Sequence, residues 1–453
     1  MNSPSKPESG RIVIKNARVV FSEVIRKRAV IVENGIITYV GDSPDLQPAD
    51  RVIDARDTYL LPGFIDLHTN GARGFDISAG VYLPSEKRFS LQKEHYFRAL
   101  EKAMRFYYQT GSTKIVLSTI AAPVQQLVQS LSLLNEFLSL PGNELYNEMV
   151  AGLYLEGSFM KMEAFRGAQN PEYFYIPSKE LFETLQHASG NRISIVNVPP
   201  EHGQAGLDFI EYLNDKGIVA AAGHTGATGL QYKAAVERGL RLATHFLNGP
   251  TGSSTKPFEE GGAVETILRS PDVIVEMITD GYHVSPEYVL DTITRKGFRS
   301  VVVITDSMFV TGMQNITTFE MFKIAGKVSE NEEYLRVVES ENTLFGSILT
   351  MDKAISNLLT WLTHPIDGIW YRHHEAMEFD DALTNSIRMC CQTPARVLGI
   401  YRPRSFILHQ DLSGYTGSIQ VGKKADLIIA SIQEQADRYQ VKADRVFAGG
   451  REL

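Results

Sequence analysis

Residues 218–246 read IVAAAGHTGATGLQYKAAVERGLRLATHF. A short apolar β-run ends on His224, a helical pattern follows over 229–239, and a second apolar β-run ends on His245. The same order extends outward: STKIVLST (112–119), GLYLEG (152–157) and ISIVNVPP (193–200) lie before it, IVEMITDG (274–281) and VVVITDS (301–307) after it. Short β-runs alternating with helical stretches over roughly 350 residues predict a parallel sheet. The polar residues separate a closed barrel from an open doubly wound sheet. Glu156, His224, His245, Asp280 and Asp306 all close apolar strands at their C-terminal ends, the rim on which catalytic side chains converge in a (β/α)₈ barrel.

The two ends of the chain read differently. RIVIKNARVV (11–20) and AVIVENGIITYVGD (29–42), turning at Glu33-Asn34-Gly35, predict antiparallel strands, and GSIQVGKKADLIIA (417–430) and DRVFAGGREL (444–453) share that character. The expected organisation is an α/β chain: a (β/α)₈ TIM-type barrel over 63–403, with a small β-sandwich domain assembled from 1–62 and 404–453. Two segments fit the alternation badly and read as surface insertions, 326–342 with its acidic SENEE and 361–378 with His364, His373 and His374. Adjacent histidines in a loop, with no third ligand at helical or strand spacing, read as solvated rather than metal-binding.

Composition narrows the function classes. The 453 residues, 43% hydrophobic and 22% charged, suffice for a large core, and a formal charge of −8 offers no basic footprint for nucleic acid. Cys390 and Cys391 are the only cysteines and are adjacent, so they form neither a structural staple nor a multi-cysteine metal site. The polar MNSPSKPESG start has no apolar signal core, and no run reaches membrane-spanning length, so the expected location is the cytoplasm.

Hydrolysing an amide at neutral pH requires an activated nucleophile, a polarised carbonyl and a proton for the departing amine. A bound divalent metal meets the first two needs, and a catalytic site offers it three imidazole or carboxylate ligands with an open position. Glu156, His224 and His245 match that set, while Asp306, on a later strand, is placed to take a proton from the attacking water and return it to the amine. Singly, each has a plainer reading, as a helix-capping acid or a hydrogen-bonded core histidine. In order on successive strands they resemble a metal triad with a general base.

Further motifs make the resemblance specific. LPGFIDLHTNGARGFD from Leu61, GLYLEGSF, AAGHTGAT, THFLNGP, ITDGYHV, VITDSMFVTGM, TLFGSILTMDKAISNLL, TPARVLGI and GSIQVGKKADLIIA are similar, in order, to the motifs of N-acetylglucosamine-6-phosphate deacetylases of the amidohydrolase superfamily, from about residue 11 to the C-terminus. The resemblance implies Glu156, His224 and His245 as ligands of one divalent metal ion, zinc or iron, and Asp306 as the acid/base. It implies Gln169, Asn248, Gly249 and His283 as substrate contacts. His68 and Asn70 occupy the superfamily's H-x-H positions as accessory residues, the second imidazole being absent.

Departures bear on the substrate. The family has His where this chain has Tyr154 and Gln169, Pro where it has Ser158, and a phosphate-binding Arg where it has Phe258 beside Glu259 and Glu260. Phosphate recognition rests on Arg or Lys, so Lys256 or an Arg from elsewhere would have to substitute. The expected reaction is removal of the N-acetyl group from an amino sugar, N-acetylglucosamine 6-phosphate first. The alternatives are an unphosphorylated or less polar N-acyl substrate, and a non-catalytic barrel relative. The expected partner is a small-molecule substrate, with neither nucleic acid nor membrane involved; a homodimer is compatible with the sequence.

Overall fold

In the computed structural model, which describes residues 10–248, 257–402 and 411–453, eight parallel strands form the central sheet. They are β1 (Phe64–Thr69), β2 (Ser112–Thr119), β3 (Val150–Leu155), β4 (Ile193–Asn197), β5 (Val219–Ala222), β6 (Leu240–Ala243), β7 (Ile274–Ile278) and β8 (Val301–Ile304). Each pairs with the next from β1 to β8. Every residue of β1, β2 and β8 is buried, because helices cover one face and the barrel interior the other; hence the uninterrupted VVVI of β8, while β1 and β2 also bury polar side chains such as Asp66, His68 and Lys114.

Closure occurs at the C-terminal rim. Thr69 and Ser307 form a parallel bridge, the Asp306 amide donates to the His68 carbonyl at 2.8 Å, and the Asn70 amide donates to the Ser307 carbonyl at 2.8 Å. The last strand's Asp306 thereby lies beside the first strand's His68 and Asn70.

The termini share one seven-stranded sheet. Its order is Arg438–Phe447, Leu427–Gln435, Tyr59–Pro62, Ile12–Val20, Ile25–Glu33 and Ile36–Gly41, with Arg51–Asp54 also on Ile12–Val20. Ile14, Val19, Val30, Ile37, Leu60 and Leu427 form its own apolar core, each large side chain contributing about 1.5–3 kcal/mol by burial. The α/β barrel with a β-rich domain drawn from both ends is therefore present. The expected boundary at 403/404 lies outside the described residues.

The first of the two irregular segments is not a detached surface insertion. Thr318–Met321, Ile324–Val328 and Leu335–Val337 form an antiparallel meander. Phe319, Met321 and Leu335 pack with Tyr82, Phe309 and Phe345 into a second apolar cluster above the barrel. Gly326 and the strands around it thus roof the rim, which local polarity could not reveal. In the second segment, Trp361 still belongs to the helix Met351–Thr363. Beyond it the chain wraps the buried Asp291 carboxylate, which accepts from the Ile369 and Trp370 amides and lies 2.7 Å from His374 Nε2. Cys390 and Cys391 are reduced and buried. Among the described residues no helix is long and apolar enough to cross a membrane.

Candidate active site

A cavity of about 430 Å³ opens at the C-terminal rim, with Asn70, Glu156, Gln169, His224, His245, Asn248 and Asp306 on its wall. Glu156 follows β3, His224 follows β5, and His245 follows β6. His224, His245 and Asp306 adopt left-handed backbone, with φ of 49°, 25° and 50°. Such conformations cost on the order of 1–3 kcal/mol each and persist where surrounding structure enforces them. Here they turn each side chain from the strand end into the cavity. Gly167 (φ 58°) has no freedom to change, since a Cβ there would come within 2.7 Å of the His224 ring.

Glu156 Oε1 lies 3.1 Å from His224 Nε2 and 2.9 Å from His245 Nε2. The opposite ring nitrogens fix the tautomers. His224 Nδ1 donates to the Phe165 carbonyl at 2.8 Å, and His245 Nδ1 donates to the Asn248 carbonyl at 2.8 Å. A carbonyl only accepts, so both Nδ1 atoms carry hydrogen and both Nε2 atoms are left as ligand atoms. Two imidazole lone pairs and a carboxylate, buried and mutually within 4.8 Å, repel one another unless a cation or protons lie between them. The donor set therefore fits a divalent metal ion.

Neighbouring groups hold this set in place. The Ala121 amide donates to Gln169 Oε1, which turns Gln169 Nε2 to donate to Glu156 Oε2 at 2.7 Å. Gln169, expected to meet substrate, is thus on the cavity wall and engaged with Glu156. Asn197, absent from the sequence reading, donates to the Glu156 carbonyl at 3.0 Å and accepts from the Gly223 amide at 2.8 Å, tying β3 to the turn that carries His224.

Asn70 Nδ2 donates to Asp306 Oδ1 at 2.7 Å. His68 stands behind, fully buried, with Nε2 3.5 Å from the same oxygen and Nδ1 donating to Glu276 Oε2 at 3.1 Å. Burial opposes charge on His68, but Glu276 and Asp306 outweigh it and push its pKa up to about 10. His283 does not line the cavity; its Nδ1 lies 2.6 Å from Asp280 Oδ2. Gly249 and Lys256 lie outside the described residues. Phe258 is 85% exposed and is likewise not on the wall, whereas Arg166 is, beside Glu163 and Glu339.

The model of the amidohydrolase family matches residues 59–453, the whole barrel and the C-terminal strands. The chain belongs to the amidohydrolase family. It is 29% identical over 432 residues to the N-acetylglucosamine-6-phosphate deacetylase of Vibrio furnissii, covering 95% of this chain and 94% of that one. Its identity to the enzyme of the same name from Bacillus subtilis is 27%, with 93% of each chain covered. In fold it is similar to the solved N-acetyl-D-glucosamine-6-phosphate deacetylase of Mycobacterium smegmatis in complex with N-acetyl-D-glucosamine-6-phosphate. That match has a TM-score of 0.76 and 23% identity, and spans 98% of this chain and 99% of that one.

Besides Asn197, two residues that bear on this amidohydrolase site do not stand out in the sequence as site residues, Arg166 and Glu276. The signal for Glu276 was a carboxylate interrupting an apolar barrel strand; for Arg166 there was none beyond a cation two residues before Ala168-Gln169.

The donor set also dictates a pH response. Burial opposes charge on His245, yet Glu156 outweighs it, so in the metal-free protein His245 holds its proton to a pH above the ordinary imidazole value. Below that pH the metal must displace the proton, so affinity is expected to fall with acidification, by about tenfold per pH unit for each proton displaced. Equilibrium dialysis against a metal buffer between pH 8 and 5 measures this, and a flat profile would contradict the ligand assignment.

Proposed function

We propose that this chain hydrolyses the N-acetyl amide of an amino sugar, with N-acetylglucosamine 6-phosphate as first substrate, giving glucosamine 6-phosphate and acetate. The observation that carries the reading is the Glu156, His224 and His245 cluster sharing one cavity wall with Asp306. The names of the relatives supply the amino-sugar class. When bound between those three residues, a divalent cation, zinc or iron, supplies Lewis acidity toward the amide carbonyl and acidifies water at neutral pH.

This chain's own residues do the rest. Asn70 holds Asp306 Oδ1, and among the described residues no hydrogen bond reaches Oδ2, which is left to take a proton from the attacking water. Asp306 then returns that proton to the amine nitrogen as the C–N bond breaks. Gln169 holds Glu156 in its orientation, while Asn248, on the cavity wall, is a proposed contact for the sugar. Acetate release from N-acetylglucosamine 6-phosphate by the metal-loaded protein tests this. No release from it, from its galactosamine counterpart or from unphosphorylated N-acetylglucosamine would remove the reading.

A second reading, an unphosphorylated N-acyl substrate, is favoured by Phe258 standing where a phosphate-binding Arg is expected. Arg166 decides between them. Its guanidinium makes no hydrogen bond or ion pair among the described residues, and it stands on the cavity wall, where it can meet a phosphate in a bidentate fork. Arg166→Met is expected to raise KM for the phosphorylated sugar roughly tenfold or more, the equivalent of ~1.5–3 kcal/mol for a charge-assisted hydrogen bond. The unphosphorylated sugar should be unaffected. Equal effects on both would favour the second reading.

A further inference from the structure

Glu276 lies in the middle of β7, wholly buried, and its carboxylate points into the barrel. An acid so placed is costly unless paired, and its pairing is one-sided. Oε2 accepts both from His68 Nδ1 at 3.1 Å and from the His245 amide at 3.1 Å, while Oε1 has no partner. The first contact aims the opposite edge of the His68 ring at Asp306. His68 Nε2 is buried, has no hydrogen bond within normal range, and lies 3.5 Å from Asp306 Oδ1. The Tyr154 ring, 4.9 Å from that of His68, flanks the imidazole. The second contact holds the left-handed turn at His245.

We propose that Glu276 is a positioning residue that acts through His68: it holds the imidazole against Asp306 and so fixes, together with Asn70, the carboxylate that carries the proton. The assignment rests on the reading of Asp306 as proton carrier. It differs from plain support of the His245 turn, which would move metal content and leave the rate per bound metal alone. Outer partners that orient a reacting group are typically worth roughly ten- to a hundredfold in activity.

The test uses the full chain, metal-loaded, with acetate release as readout. Glu276→Met removes the acceptor at similar volume, whereas Gln would keep both contacts through its one oxygen. Glu276→Met is expected to lower kcat per bound metal roughly ten- to a hundredfold, with KM unchanged. His68→Leu should lower it at least as far, and the double variant no further than His68→Leu alone. His68→Gln keeps an amide donor toward Asp306, so it should retain more activity than His68→Leu and be insensitive to Glu276→Met. Multiplying losses in the double variant overturn the proposal, as does a Glu276→Met protein whose rate per bound metal is native. Asp306→Asn is measured alongside. If it turns over at the native rate, the proton-carrier reading falls and this proposal with it; if it is inactive while the losses multiply, only the role of Glu276 falls. Nitrogen-labelled histidine spectra of the native protein give an arm that needs no altered barrel. His68 Nδ1–H is expected to be hydrogen-bonded and protected from exchange, and a freely exchanging ring overturns the proposal.

Discussion

Asp306→Asn is expected to lower kcat by ~10²–10⁴ while the metal stays bound, the usual contribution of a positioned acid/base. The substitution keeps the side chain's shape, and Asn tolerates the left-handed backbone at φ 50°, so the turn that closes β8 onto β1 should survive. An amide oxygen can still accept from Asn70, but it cannot hold and return a proton. KM should change little. The plain alternative, that Asp306 only caps the rim, predicts lower thermal stability with a near-native rate per folded molecule. Melting temperature and kcat measured on one preparation decide between them.

Loss of an imidazole ligand should be more severe. His245→Ala or His224→Ala is expected to lose both metal and measurable activity, because one of three protein ligands is gone and Glu156 is left facing a single histidine. Alanine is also a poor occupant of these positive-φ positions, so an unfolded variant could imitate a metal-free one. His245→Asn and His224→Asn control for this, since Asn accepts that backbone and still lacks the imidazole. Metal analysis of the folded Asn variants is the measurement. Full occupancy in either would remove that residue from the ligand set.

The architecture and the order of the site residues are legible in the chain's text alone. Apolar runs alternating with helical stretches can hide their backbone groups only as a parallel sheet covered by helices. Polar residues ending those runs had to lie on one rim, as Glu156, His224, His245 and Asp306 do. Composition likewise sent both ends of the chain to a β-rich domain. Which rim residues meet depends instead on how the sheet closes. Closure sets the last strand beside the first and so brings Asn70 and His68 to Asp306, a register that no local pattern encodes. Glu276 stands out as a carboxylate in an apolar strand, but its direction is illegible for a related reason. In a strand buried on both faces, apolar residues point inward and outward alike, so the text of IVEMI shows no alternation from which to read where the carboxylate points. Arg166 and the roof around Phe319 and Phe345 were hidden because a loop's polarity records solvent on one side and says nothing of the cavity on the other.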